Sequence, residues 1–415
     1  MKAHIVFIIV LSIISMNSYS FSESNSHYCG CLFFIDDINS ENELKLVDEY
    51  SPNLLVRSWY RWGEPSIRKK YNLRLNIGSK LKKNGIKLGG GTSLSVVSEE
   101  DIKDISFNKE WLSVDINNEI IKKSGHYFGS LSSPQFRKYL VKKLIEQVRL
   151  GVSELHLGET NGEIHFDKWT IREFNKWVLD KYPNKDSFWW KERYGTIGVK
   201  LLNQELLNQS DISNLSDKNK ENFFEDWGRV GDWKGLNEKG NRAFLYNLYT
   251  SNLDSFIGEL REELSKENLK VVIDVWGFAD WITEIKNKPD AIFTSPPDLK
   301  WSLNWEEDAD FNLLKHKNRI KSILQNEIRK NSPTPVIIMI DHPKPFYQFI
   351  KLPDKRQKEI FQYFSQISNE INTNFVIRSY TNELSYLGKT TQDWLKKECL
   401  YRKATNICPS NSIIK

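Results

Sequence analysis

Histidine is scarce in this 415-residue chain, and its seven copies are scattered at 4, 27, 126, 156, 165, 316 and 342. No two form the His-x-His cluster that a metal-dependent hydrolase would use. No Gly-x-Ser-x-Gly occurs, and Gly129-Ser130-Leu131-Ser132-Ser133 misses it, so a serine nucleophile elbow is excluded. No phosphate loop and no dinucleotide fingerprint appears. Gly89-Gly90-Gly91 is not one, because no helix pattern opens there. Internal repeats and long low-complexity tracts are absent too. Charge is nearly balanced: 59 Lys and Arg against 54 Asp and Glu leave +5. Spread over this length, that gives no basic patch of the kind nucleic-acid binders concentrate.

Cysteine is missing from the middle of the chain. The four copies, Cys29, Cys31, Cys399 and Cys408, lie near its ends. A direct Cys29–Cys31 bond would be strained. That favours tying the N-terminal pair to the C-terminal pair in an exported protein. A zinc site is the rival reading of Cys-x-Cys, but the second pair is widely spaced and has no nearby His. Long apolar runs are missing beyond the start. Lys2 precedes an apolar run, Ile5 to Ile14, and then the small-x-small sites Ser18-Tyr19-Ser20 and Ser20-Phe21-Ser22. This reads as a secretory signal peptide over 1–22, too short for a membrane span. The expected location is secreted or periplasmic, with no stable span once the signal is removed.

What the chain does have is aromatic mass and strand-then-acid segments. It carries 14 Trp, 16 Tyr and 22 Phe. Eight strand candidates appear, at 54–60, 86–92, 111–116, 154–159, 269–276, 291–295, 336–341 and 375–380. Helical patterns separate most of them, including 66–84, 312–330 and 355–371. The strongest helix is capped by Ser133, opens on Pro134 and ends at Gly151. Alternating strands and helices imply parallel pairing. Eight units over about 330 residues fit a (β/α)8 TIM barrel, an α/β fold, as one domain spanning 23–415. A Trp-rich helical insertion follows the fourth strand, about 167–241. Its Trp residues either wall a substrate site or form the segment's own core. Residues 208–220 read as an exposed, mobile loop.

In a barrel the strand tips hold the chemistry. Here they are rich in carboxylates and Trp. Glycosidic bond cleavage needs that mix: one acid to protonate the leaving oxygen, and a second as nucleophile or base. Glu159 ends the segment GVSELHLGE and precedes a turn, which makes it the acid/base candidate. Asp341 ends the apolar run VIIMID, and Asp274 interrupts LKVVIDVW. Either can be the partner. Asp274 can equally pair structurally with Arg57 or Arg378. Trp59, Trp62, Trp276 and Trp301 are candidate sugar platforms, with Arg57, His156 and His342 as polar contacts. No metal or other cofactor is called for. The expected partner is an oligo- or polysaccharide.

The segment Tyr127 to Val178 resembles a group of exported, barrel-type glycoside hydrolases. It shares a Ser-Pro helix start, a helix ending in Gly-Val, and a strand ending in Glu159. Phe166-Asp167-Lys168-Trp169 is similar to a later segment of the same pattern. The resemblance implies a clan A-like barrel, with the acid/base at the fourth strand tip and the nucleophile at the seventh, where Asp341 sits. The sequence departs from the pattern at Gly158, where the pattern has Asp, and at Asp341, where it has Glu. Gly158 favours an alternative: a non-catalytic carbohydrate-binding protein on a degenerate barrel.

Overall fold

The computed structural model describes residues 32–34, 41–52, 54–59, 86–123, 125–158, 166–207, 209–229, 234–276, 280–294, 313–340, 352–379 and 381–405. The signal peptide and the expected helix at 66–84 lie outside them. In chain order the strands are β1 (Leu32–Phe34), β2 (Leu54–Trp59), β3 (Lys87–Ser93), β4 (Val96–Val97), β5 (Lys122–Lys123), β6 (His126–Phe128), β7 (Glu154–Gly158), β8 (Val272–Trp276), β9 (Ala291–Thr294), β10 (Val336–Ile340) and β11 (Phe375–Ser379). The described helices of eight residues or more are α1 (Glu41–Tyr50), α2 (Pro134–Arg149), α3 (Lys168–Lys181), α4 (Ser187–Tyr194), α5 (Asp217–Trp227), α6 (Phe244–Lys266), α7 (Leu313–Asn331), α8 (Asp354–Glu370) and α9 (Lys389–Thr405). No described helix is long and apolar enough to cross a membrane.

The chain divides into two compact units. The first comprises 1–57, 77–88 and 290–415. Within it β1 pairs in parallel with β2 and β11, β11 with β10, and β10 with β9. Val336, Ile337 and Ile338 of β10 and Phe375, Val376 and Ile377 of β11 are β-branched or aromatic and buried, which suits a pleated surface covered on both faces. Ile338, Phe375 and Ile377 pack against Ile360, Phe364 and Ile367 of α8. Arg402 of α9 is fully buried and donates to Ser365, Ser368, Asn369, Asn374 and Glu398. That set of acceptors makes a buried guanidinium tolerable and pins α9 to α8. Cys399 of α9 is buried and is not a free thiol.

The second unit comprises 58–76 and 89–289. Its parallel core is β3-β7-β8, and a small antiparallel sheet, β4-β6-β5, lies between β3 and α2 in the chain. α2 forms as its sequence dictates. Ser133 Oγ accepts from Phe136 N, Pro134 occupies the first turn, and Phe136, Leu140, Leu144 and Val148 are buried on one face. Each such side chain contributes roughly 1.5–3 kcal/mol on burial. Gly151 then takes φ +100°, which ends the helix.

Two expectations are corrected in this unit. Residues 111–116 form no strand. Leu112 and Val114 make isolated antiparallel bridges to Gly129 and Ile120. Asp115 spends its side chain on a turn, accepting from the backbone N–H groups of Asn117 and Glu119, with Asn118 at φ +59°. Nor is 208–220 one loop. Gln209–Ser213 is a short helix, and Ser216 caps α5, which begins at Asp217.

Helices α3 to α5 follow β7. Trp190 and Trp227 are buried in their midst. Trp227 stacks on Phe166 and Phe223 and meets Phe174 and Phe244. These two Trp residues therefore serve the segment's own core. Trp169, Trp177 and Trp189 are half-buried, and Trp233 lies outside the described residues.

Candidate functional site

Strands β7 and β8 lie side by side, with His156 opposite Asp274 and Glu154 opposite Val272. Every residue of both strands is buried. Successive side chains of a strand point to opposite faces. Leu155, Leu157, Ile273 and Val275 therefore share one face. Glu154, His156, Asp274 and Trp276 share the other, a polar row inside the protein. Glu154, His156 and Asp274 are 0% exposed, and Trp276 is 9% exposed at the end of β8.

His156 is the centre of the row. Its Nδ1 lies 2.6 Å from Asp274 Oδ1 and 2.7 Å from the Trp276 indole nitrogen. The imidazole and indole rings are 4.8 Å apart, tilted by 58°. Its Nε2 lies 3.9 Å from Glu154 Oε1. An imidazole nitrogen offers one hydrogen-bonding position in its plane, either an N–H or a lone pair. With a proton on Nδ1, the ring donates to Asp274. With the lone pair there, it accepts the indole N–H. The Nδ1 proton decides which neighbour is bonded.

The backbone around the row is tightly fixed. Gln147 of α2 bridges Gly91, accepting from its N–H at 2.8 Å and donating to its carbonyl at 3.0 Å. A Cβ on Gly91 would fall 2.2 Å from the His156 carbonyl oxygen, and one on Gly90 would meet Gln147. Gly90 and Gly91 of β3 thus permit this close approach. Leu94 N donates to Gly158 O at 2.9 Å, anchoring the end of β7. Where the chain is next described, Phe166 N donates to Val114 O, and Asp167 caps α3 through Trp169 N and Thr170 N. Burial pushes the Asp167 carboxyl up, against the bonds it accepts from Thr170 and Ser130.

Among the described residues, Glu154, His156 and Asp274 are the one group whose ligating atoms, all within 4.8 Å, could take up a metal ion. The Nδ1–Oδ1 separation is hydrogen-bond spacing. Of the other candidates, Arg57 and Trp59 lie on β2. Glu159, Trp62, Trp301, Asp341 and His342 lie outside the described residues. The row brings together three residues singled out in the sequence, His156, Asp274 and Trp276. It adds one that was missed, Glu154. The signal was there: Glu154 and His156 stand two apart in a short strand, so they share a face.

Compared with known proteins, the sequence matches no family and no curated protein. The fold does match solved structures. A cold-adapted beta-galactosidase from Rahnella sp. R3 aligns with TM-score 0.56 at 13% identity, covering 93% of this chain and 58% of that one. A beta-galactosidase from the psychrophilic Marinomonas ef1 aligns with TM-score 0.53 at 10% identity, covering 90% and 59%. A maltogenic alpha-amylase from Thermotoga neapolitana gives 0.52 at 8% identity, covering 93% and 79%. These are glycoside hydrolases with TIM-barrel folds, the class that the sequence resemblance named. This chain spans somewhat under three-fifths of the two galactosidases.

Proposed function

We propose that this chain is an exported glycoside hydrolase acting on an oligo- or polysaccharide, built on a (β/α)8 barrel with a Trp-rich insertion after the fourth strand. One observation carries the reading: a buried row of two carboxylates, an imidazole and an indole runs up to the C-terminal ends of parallel strands, in a fold shared with glycosidases. Ligands of parallel α/β folds bind at those strand ends. Gly158, the last residue of β7, is followed in the chain by Glu159.

In the proposed reaction Glu159 protonates the leaving glycosidic oxygen. Asp341 or Asp274 is its partner, as nucleophile if about 5 Å away or as base for a water if roughly 6.5–9.5 Å away. Asp274 lies 2.6 Å from His156 Nδ1, which favours a supporting part for it and leaves Asp341 as the first choice. Trp276, with Trp59, Trp62 and Trp301, offers indole faces to sugar rings, and Arg57 and His342 take polar groups. In an oxidising compartment Cys399 and Cys408 pair with Cys29 and Cys31.

Gly158 supports the second reading, a carbohydrate-binding protein that has lost its acid pair. A panel of oligosaccharides separates the two. Release of reducing sugar by the wild type, abolished in Glu159→Gln, supports the hydrolase. Trp fluorescence quenching by a sugar that is never cleaved, with Glu159→Gln binding as the wild type does, supports the binding protein. Neither cleavage nor binding across the panel overturns both.

A further inference from the structure

We propose that His156 is a positioning residue for Trp276. Its Nδ1 accepts the indole N–H, which sets the orientation of the indole at the end of β8 and, through the indole, how tightly a sugar ring is bound. The carbohydrate part rests on the glycoside hydrolase reading; the positioning part does not.

Three observations point the same way. First, His156 is fully buried, so its reach toward any bound molecule runs through a neighbour. Second, that neighbour is Trp276, the one member of the row with exposed surface, whose N–H is 2.7 Å from Nδ1. Third, the imidazole itself is held. Gly91 packs against the His156 backbone with no room for a side chain, which fixes where the ring stands. An indole side chain has two rotatable bonds, and a hydrogen bond at its edge selects one orientation among those that packing allows. A ring that must lie flat against a sugar face gains affinity from being held in advance. The histidine supplies that hold from below. Nδ1 has one hydrogen-bonding position, so Asp274 and the indole compete for it.

The test follows the indole N–H of Trp276 by nitrogen-15 NMR, with the resonance assigned by its loss in Trp276→Phe. In the wild type it is expected to be shifted by its bond and slow to exchange with solvent. In His156→Leu it should move toward the position of an unbonded indole and exchange faster. His156→Asn, which keeps a polar atom near the place of Nδ1, should restore much of the protection. Asp274→Asn should move the signal further toward the bonded position and slow its exchange, because it removes the carboxylate that competes for Nδ1. Should His156→Leu fail to fold, Asp274→Asn and His156→Asn carry the test. Sugar affinity, read as a dissociation constant, should weaken roughly tenfold in His156→Leu, the scale of one lost hydrogen bond. An indole resonance unmoved in every folded variant overturns the positioning. A resonance that moves in a protein that binds no sugar keeps the positioning and overturns the carbohydrate reading beneath it.

Discussion

Two aspartates of the second unit, both 0% exposed, sit in opposite chemistry. Asp226, at the end of α5, is wrapped in donors. Lys181 Nζ lies 2.6 Å away, Tyr182 OH 2.9 Å, and an Arg193 nitrogen 2.7 Å, with Tyr194 OH closing the ring. Burial pushes its carboxyl up, but the bonds from Lys181, Tyr194 and Arg193 overcome that and hold it below the usual carboxylate range. Asp274 instead faces an imidazole, with a second carboxylate, Glu154, on the far side of that ring. The first arrangement is static. Two fixed cations and two phenols leave Asp226 nothing to do but hold α3, α4 and α5 together. The second is convertible, since the imidazole can place its proton in two ways. Burial alone does not mark a functional acid; the kind of partner does.

The comparison breaks most visibly at Asp226. Asp226→Ala leaves Arg193 and Lys181 without their shared carboxylate in a largely dry site. Removing one partner of a buried pair costs about 3–5 kcal/mol. Because Lys181 is about a third exposed, the low end applies here. Urea unfolding should show the loss, while sugar cleavage per folded molecule stays unchanged. A loss of turnover without a loss of stability would place Asp226 among the working acids and erase the contrast. Next in size, Glu159→Gln should reduce turnover by roughly 100-fold on a substrate with a poor leaving group. Its unfolding curve should overlay that of the wild type.

Gln147→Leu sharpens the contrast from the backbone side. It removes both bonds to Gly91 and leaves a buried N–H and C=O to find other partners. A cost of about 2 kcal/mol is expected. Unlike Asp226→Ala, it should also weaken sugar binding, because Gly91 supports the strand that carries His156. Equal binding in both variants would deny that link.

Much of this was legible in the sequence, for local reasons. The strand candidates at 154–159, 269–276, 291–295, 336–341 and 375–380 match observed strands to within three residues at either end. The Ser-Pro start and Gly151 bounded α2. What failed was the part that depends on partners. WLSVDI has a strand's composition, but Asp115 is drawn into a turn. β1 is a three-residue LFF, too short to carry a period. The missed β1 and the false strand at 111–116 offset each other, so among the described residues β7 remains the fourth parallel strand in chain order and β10 the seventh. Asp274 stood out because a charge in an apolar strand demands a partner. Glu154 did not, because the first residue of a strand reads as its polar flank. Asp226 was invisible. Its partners lie 32 to 45 residues away, and only the helix packing brings them in.

The smallest expected effect is on pH dependence, and it sets Asp226 against a third buried acid, Asp167. The Asp226 carboxyl is held below its ordinary value, so its charged form is the stabilised one. Its contribution is present above the unfolded value of about 3.9 and is lost as pH falls through the lower folded value. Asp167 is raised by burial, so the sign reverses. Its neutral form is favoured, and its contribution is present below about 3.9 and is lost as pH rises through the folded value. Asp167→Asn keeps an N-cap side chain, which costs little, and removes the titration. Relative to the wild type it should be less stable in acid and should draw level or better toward neutral pH, by about 1 kcal/mol or less. Asp226→Asn should do the opposite, with its largest deficit at neutral pH and a shrinking one in acid. Thermal unfolding of the three proteins between about pH 3 and 7 reads both slopes, and parallel curves would remove the physical basis for ranking these acids by their partners.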